Sequence, residues 1–187
     1  MQRFHRPASA RCSEGLPRSN TLLHLCVVEV SRLLTEAPSA TSLLTELPPD
    51  LLQTVVDSLC AHQTASLSIL EAIVAAGAAT AVHRFAIRAM DSERAMGNLL
   101  YWQVNDRWLS ALQGFSALSV LELGSCFAIT DEALKACLLN MRSLRVIDLD
   151  RCKRLTDYGL SPIGEGSTPH LTSLSIGGTQ VHFIIFM

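Results

Sequence analysis

Six cysteines, at 12, 26, 60, 126, 137 and 152, and six histidines are the residues of this chain best suited to nucleophilic or metal chemistry. Their spacing supports neither. There is no C-x-x-C pair and no ligand-like spacing of cysteine with histidine, which argues against zinc. Cys137 and His170 make a nucleophile and a base only if the fold joins them, and Cys137 falls on an apolar helical offset. Asp131 and Asp157 resemble a catalytic carboxylate pair, yet they are equivalent positions of an internal repeat, where two helix N-caps explain them. Gly164-Glu165-Gly166-Ser167 lacks both the following lysine and the preceding strand of a phosphate-binding loop. The expectation is a chain that is not an enzyme and carries no metal and no cofactor.

Repetition explains Cys126 better than chemistry does. The run Leu118-x-x-Leu121-x-Leu123-x-x-Cys126-x-x-Ile129-Thr130-Asp131-x-x-Leu134 returns as Leu144-x-x-Ile147-x-Leu149-x-x-Cys152-x-x-Leu155-Thr156-Asp157-x-x-Leu160. A third copy opens with Leu171, Leu174 and Ile176, and Thr179 stands where the others have cysteine. A weaker half-copy, Val104-Asn105-Asp106-x-x-Leu109-x-x-Leu112, comes before them. Self-similarity at a period of about 20–29 residues with L-x-x-L-x-L spacing marks a leucine-rich repeat.

The offsets dictate the elements. L-x-L alternation puts Leu121 and Leu123 on the inward face of a short strand. The residue three positions on points under the turn, where cysteine fits as a small hydrophobe. Asp131 and Asp157 then sit where a helix starts, and Leu134 and Leu160 return its stripe to the core. Cys126 and Cys152 are therefore read as wall. Strand residues alternating away from that core form the candidate substrate-binding stripe: Val120, Glu122, Val146, Asp148 and Asp150, with Ser173 and Ser175 after them. Three of these are acidic, and Arg151, Lys153 and Arg154 make a basic loop beside them.

The pattern L-x-x-L-x-L-x-x-C-x-x-[IL]-T-D-x-x-L resembles the cysteine-containing leucine-rich repeat, the RNI-like type common in F-box proteins and their relatives. The resemblance spans roughly 99 to 181, under half of the chain. It implies an α/β fold, a short right-handed leucine-rich-repeat solenoid of about three repeats preceded by an α-helical N-terminal region. It also implies protein binding by the repeats, with the segment ahead of them docking onto a cullin-type ubiquitin ligase.

That segment reads as helix. From Asn20 an apolar stripe runs through Leu22, Leu25, Cys26, Val30, Leu33 and Leu34 until Pro38-Ser39. A second helix begins near Pro48-Pro49-Asp50, with Leu51, Leu52, Val55, Val56 and Leu59 on one face. Thr21-Leu22-x-x-x-Cys26-x-x-x-Val30 is similar to the elongin-binding BC box, and Leu47-Pro48-x-x-Leu51-x-x-x-Val55 resembles the cullin box that follows it. LPPDLLQTVVDSL equally resembles the opening of an F-box, whose Val-x-x-x-Trp continuation is missing. Under these resemblances Leu22, Cys26, Val30, Leu47, Pro48, Leu51 and Val55 contact a cullin-ligase adaptor of elongin or Skp type. An ordinary amphipathic helix produces the same spacing. Between Ser66 and Leu100 the Ala-rich sequence is read as helices capping the repeats, with Trp102 and Trp108 sealing the junction.

Composition sets the limits. The chain is 49% hydrophobic and 17% charged with a net charge of −2, which gives no electrostatic case for nucleic acid or membrane partners. Cysteines without a disulfide or metal pattern point to reduced thiols in the cytoplasm or nucleus. Arg3, Arg6, Arg11 and Arg18 give the first residues a faint likeness to a mitochondrial transit peptide, which Pro7 and Pro17 spoil. The expected organisation is a disordered leader at 1–19, a helical docking or capping region at 20–98, and leucine-rich repeats at 99–187. After Thr179 the repeat gives way to Val181-His182-Phe183-Ile184-Ile185-Phe186-Met187, and the repeats are expected to be C-terminally truncated. The expected function is that of a substrate receptor in a cullin-RING ligase, recruiting a protein for ubiquitination and proteasomal degradation. A non-ligase interaction scaffold is the alternative.

Overall fold

The protein, a computed structural model, is described over residues 22–36, 44, 46–87 and 100–182, without the side chains of 22–25 and 35. The leader 1–19, Cys12, Pro38-Ser39 and the run Phe183–Met187 lie outside the described residues. The fold is mixed α/β around a four-stranded sheet. Its strands are β1 (Arg84–Ile87), β2 (Val120–Leu123), β3 (Val146–Asp148) and β4 (Ser173–Ser175). They lie side by side in chain order, and every pair is parallel. Parallel neighbours need a crossover each time. Here α4 (Leu100–Gln103) and α5 (Asp106–Leu112) link β1 to β2, α6 (Asp131–Asn140) links β2 to β3, and α7 (Ser161–Gly164) links β3 to β4.

Register ties the fold to the sequence. Phe85, Leu121, Ile147 and Leu174 share one rung of the sheet. The first three are fully buried, as are Ile87, Leu123 and Leu149 two positions on. Leu109, Leu112, Leu134, Cys137 and Leu138 come down on this face from α5 and α6. Each such leucine contributes roughly 1.5–3 kcal/mol by leaving water. Burial thins out at β4, where Leu171, Leu174, Ile176 and Val181 are only partly covered.

β1 lies in a stretch that the sequence pattern assigns to helix. The Ala-rich stretch between Ser66 and Leu100 does hold α3 (Leu67–Ala75) and a 3₁₀ turn at Ala78–Ala81, but then it becomes a strand. Val82-x-x-Phe85-x-Ile87 repeats the leucine spacing with other apolar residues, and all three side chains are fully buried. The outer edge of this strand is covered by α2 (Pro49–Ala61) through one side chain. The Gln53 amide oxygen accepts the His83 and Arg84 N–H groups at 2.7 and 3.1 Å, and its nitrogen donates to the Arg84 carbonyl at 3.0 Å. A sheet edge left open would template pairing with another chain; Gln53 substitutes for a neighbouring strand.

Helix α1 (Leu22–Glu36) packs against α2 on a face rotated from the expected stripe. Val27, Ser31 and Leu34 are buried, Val30 and Leu33 are half-buried, and Cys26 is exposed. Trp102 also departs from expectation. Trp108 is buried at 3% exposure, but Trp102 is 63% exposed. The single turn of α4 turns Leu100 inward, followed by Val104 one turn later, both fully buried. Residue 102 is half a turn away and faces solvent.

Candidate functional site

The face of the sheet turned away from α5 and α6 carries the alternate strand residues. Arg84, Val120, Val146 and Ser173 form one cross-strand row; Ala86, Glu122, Asp148 and Ser175 form the next. Val120, Val146, Asp148 and Asp150 are half-buried, while Glu122 is only 6% exposed. The stripe is less acidic than its sequence suggests, because β1 brings Arg84 to 3.5 Å from the Glu122 carboxylate. Asp57 of α2 completes this corner, held by the Gln53 amide at 3.1 Å. Burial raises its carboxyl above the ordinary range, and Arg84 and Gln53 oppose the rise.

Asp150 serves the backbone. Its Oδ1 accepts the Ser175 hydroxyl at 2.7 Å and the Gly177 N–H at 2.6 Å, closing the turn that follows β4. Asp148 Oδ1 in turn accepts the Asp150 N–H at 3.0 Å. The turns after β2, β3 and β4 place Ser125, Arg151 and Gly178 in the left-handed region at φ 66°, 63° and 73°. In each case the residue immediately precedes Cys126, Cys152 or Thr179. Ser125 and Arg151 then donate their N–H groups to the Asp150 and Gly177 carbonyls of the next turn.

Cys126 and Cys152 have no exposed surface. The Cys152 thiol donates to the Leu123 carbonyl at 3.1 Å, one strand back. Burial raises the Cys152 thiol to about 11 and holds Cys126 higher still. A thiol so far from ionisation is a poor nucleophile and a poor metal ligand. Cys60 and Cys137 are raised to about 12 by the same cause. Cys137 is enclosed against Met141 at 3.6 Å, whereas His170 is exposed. Among the described residues no group of three or more His, Cys, Asp or Glu is arranged to hold a metal.

Asp131 and Asp157 do not cap their own helices. Thr130 is the N-cap of α6, its hydroxyl accepting the Ala133 N–H. The Asp131 carboxylate instead reaches the following segment, where it accepts the Thr156 N–H at 2.8 Å and the Thr156 hydroxyl at 2.5 Å. Asp106 binds Thr130 in the same way, at 2.8 and 3.0 Å. Asp157 accepts the His182 N–H at 2.8 Å. The aspartates thus clamp each turn to the next. The helix expected at Asp157 is also delayed: Asp157–Leu160 forms turns and α7 begins at Ser161. Gly159 and Pro162 weaken helix there.

The proposed adaptor contacts fall on different environments. Cys26 and Pro48 are exposed, and Val30, Leu47 and Leu51 are half-buried. Val55 is 1% exposed and packs in the core, so it offers no contact surface of its own. The side chain of Leu22 lies outside the described residues. One feature had no sequence signal beyond the residue types: Tyr101, Trp102 and Phe127 converge at the surface, with ring centroids 5.3 to 6.2 Å apart.

No protein-family profile matches this chain, and no curated protein is significantly similar to it in sequence. Among solved structures it is similar to a chain in the crystal structure of the Rad7 and Elc1 complex in yeast, at 15% identity and a TM-score of 0.47. The match takes in 84% of this chain and 46% of that one, so the present chain spans less than half of its length. A likeness at this distance fixes neither family nor function.

Proposed function

We propose that this chain is a cysteine-type leucine-rich-repeat protein that recruits a protein substrate to a cullin-RING ubiquitin ligase. The observation that carries the reading is the common rung of Phe85, Leu121, Ile147 and Leu174, onto which the L-x-x-L-x-L spacing falls copy after copy, with the cysteine following in the two central copies. The open sheet face around Val120, Val146 and Asp148 is the surface assigned to the substrate, and α1 with α2 is assigned to an adaptor of elongin or Skp type. Support for docking comes from α1, which buries Val27, Ser31 and Leu34 in packing against α2 and leaves Cys26 exposed on the flank it shares with half-buried Val30. The ligase, not this chain, supplies the chemistry. Its place is the cytoplasm or nucleus, where buried thiols such as Cys126 and Cys152 stay reduced.

The second reading, a scaffold whose helices only cap the sheet, is favoured by one observation: Val55 lies in this chain's own core, and Val30 and Leu47 pack against that core. Affinity purification of the tagged full chain from cells separates the two. Recruitment predicts a cullin and its adaptor in the eluate at levels comparable to the bait. A scaffold yields neither, and that result rejects the ligase role.

A further inference from the structure

We propose a second docking surface, distinct from the open sheet face, which takes an acidic peptide segment bearing apolar side chains from a partner protein. With only two Trp, two Tyr and six Phe in the chain, three of these rings gather at one exposed place. Trp102 is 63% exposed there, and Tyr101 and Phe127 are half-buried beneath it. Large apolar rings grouped at a surface are the usual anchors of an interface rather than ordinary scatter.

The adjoining charge selects the partner. The Lys153 ammonium lies 6.0 Å from the Phe127 ring centroid. Arg151, Lys153 and Arg154 occupy the turn after β3, one strand along from Phe127, and all three are exposed. Among the described residues none of the three has a salt-bridge partner, although Arg32 and Arg84 both do. Unpaired cations beside aromatic faces complement carboxylates interleaved with apolar side chains. Single-stranded nucleic acid also stacks on rings, but it needs a continuous basic track for its phosphates. Asp106, Asp131 and Asp157 interrupt any such track, since they line the neighbouring turns. A peptide needs only local contacts with the cations.

The test is fluorescence anisotropy of a fluorescein-labelled peptide of alternating Glu and Phe, titrated with the full chain. Saturable binding that weakens with salt is expected, with about thirtyfold weaker binding for Trp102→Ala. Lys153→Glu is expected to weaken it by about tenfold. Lys153→Glu should match the wild-type melting temperature, and Trp102→Ala, which loses its ring contacts with Tyr101 and Phe127, should melt cooperatively within about 5 °C of it. The proposal is overturned by absence of binding to wild type, by equal affinity of Trp102→Ala, or by equal binding of a Lys and Phe peptide. Tighter binding of oligouridylate assigns the patch to nucleic acid and overturns it too. So does a dimer in sedimentation that Trp102→Ala dissolves, since a second copy would then occupy the surface. None of these outcomes depends on a ligase adaptor, whose binding is measured separately.

Discussion

Replacing Asp131 by Ala removes the acceptor of two hydrogen bonds, from the Thr156 N–H at 2.8 Å and the Thr156 hydroxyl at 2.5 Å. A hydrogen bond to a charged group contributes about 1.5–3 kcal/mol, and half-burial of both residues argues for the low end. The backbone N–H is left without a partner, and the start of α6 loses a negative charge for about 0.5 kcal/mol. The sum is about 3.5 kcal/mol out of a typical total of about 5–15 kcal/mol. Asp131→Asn keeps one acceptor oxygen and should cost about 1 kcal/mol. Thr156→Ala alone also loses the contact from the Tyr158 N–H, so single variants do not isolate the clamp. A double-mutant cycle does. Urea unfolding followed by far-UV circular dichroism should give a coupling of about 1 kcal/mol between Asp131 and Thr156. If Asp131 only favoured its own helix, the two changes would add. A coupling below about 0.3 kcal/mol refutes the clamp.

Gly159→Ala strikes the same clamp from the other side, because a Cβ at Gly159 would lie 2.5 Å from Asp131 Oδ1 and 3.1 Å from its backbone Cα. A loss of about 1–3 kcal/mol is expected in the same unfolding assay, and a neutral result would mean that the approach relaxes freely. The buried thiols set an alkaline limit. Their folded values lie above the unfolded thiol range near 8.5, so their contribution is complete below that pH and fades as pH rises toward about 11 for Cys152 and about 12 for Cys60 and Cys137. Urea midpoints should fall from pH 9 to 11, and Cys152→Ala should make the slope shallower. A midpoint that rises over this range, or a slope unchanged in Cys152→Ala, contradicts that assignment. Native alkylation at pH 8 should spare Cys60, Cys126, Cys137 and Cys152 while modifying exposed Cys26. Rapid labelling of Cys152 in the folded protein would contradict its enclosure.

The inward residues of β2 and β3 were legible because L-x-L alternation has one solution when a single face is buried. The cysteines were legible because their offset recurs with those leucines. β1 was hidden by its surroundings: Phe85 and Ile87 follow an Ala-rich helical run, and they are separated from Leu121 and Leu123 by a longer interval than later copies show. The Thr-Asp pairs were visible, but helix-capping rules assign each aspartate to its own helix. Its actual partner is a threonine one copy later, a contact that only the stacking of turns creates. Gln53 against His83 and Arg84 left no local trace, since a glutamine on a helix gives no sign of the strand edge it will satisfy. Trp102 was misplaced because its apolar character says core, while the rotation of α4 is set by Leu100 and Val104.

The central claim is that α1 and α2 dock onto a ligase adaptor, and calorimetry with purified components tests it most directly. The full chain is titrated with an elongin–cullin complex and, separately, with a Skp–cullin complex. Recruitment predicts saturable binding to one of them that Cys26→Arg abolishes without moving the melting temperature, since Cys26 is exposed. No heat of binding with either complex, from a protein that unfolds cooperatively, would contradict it.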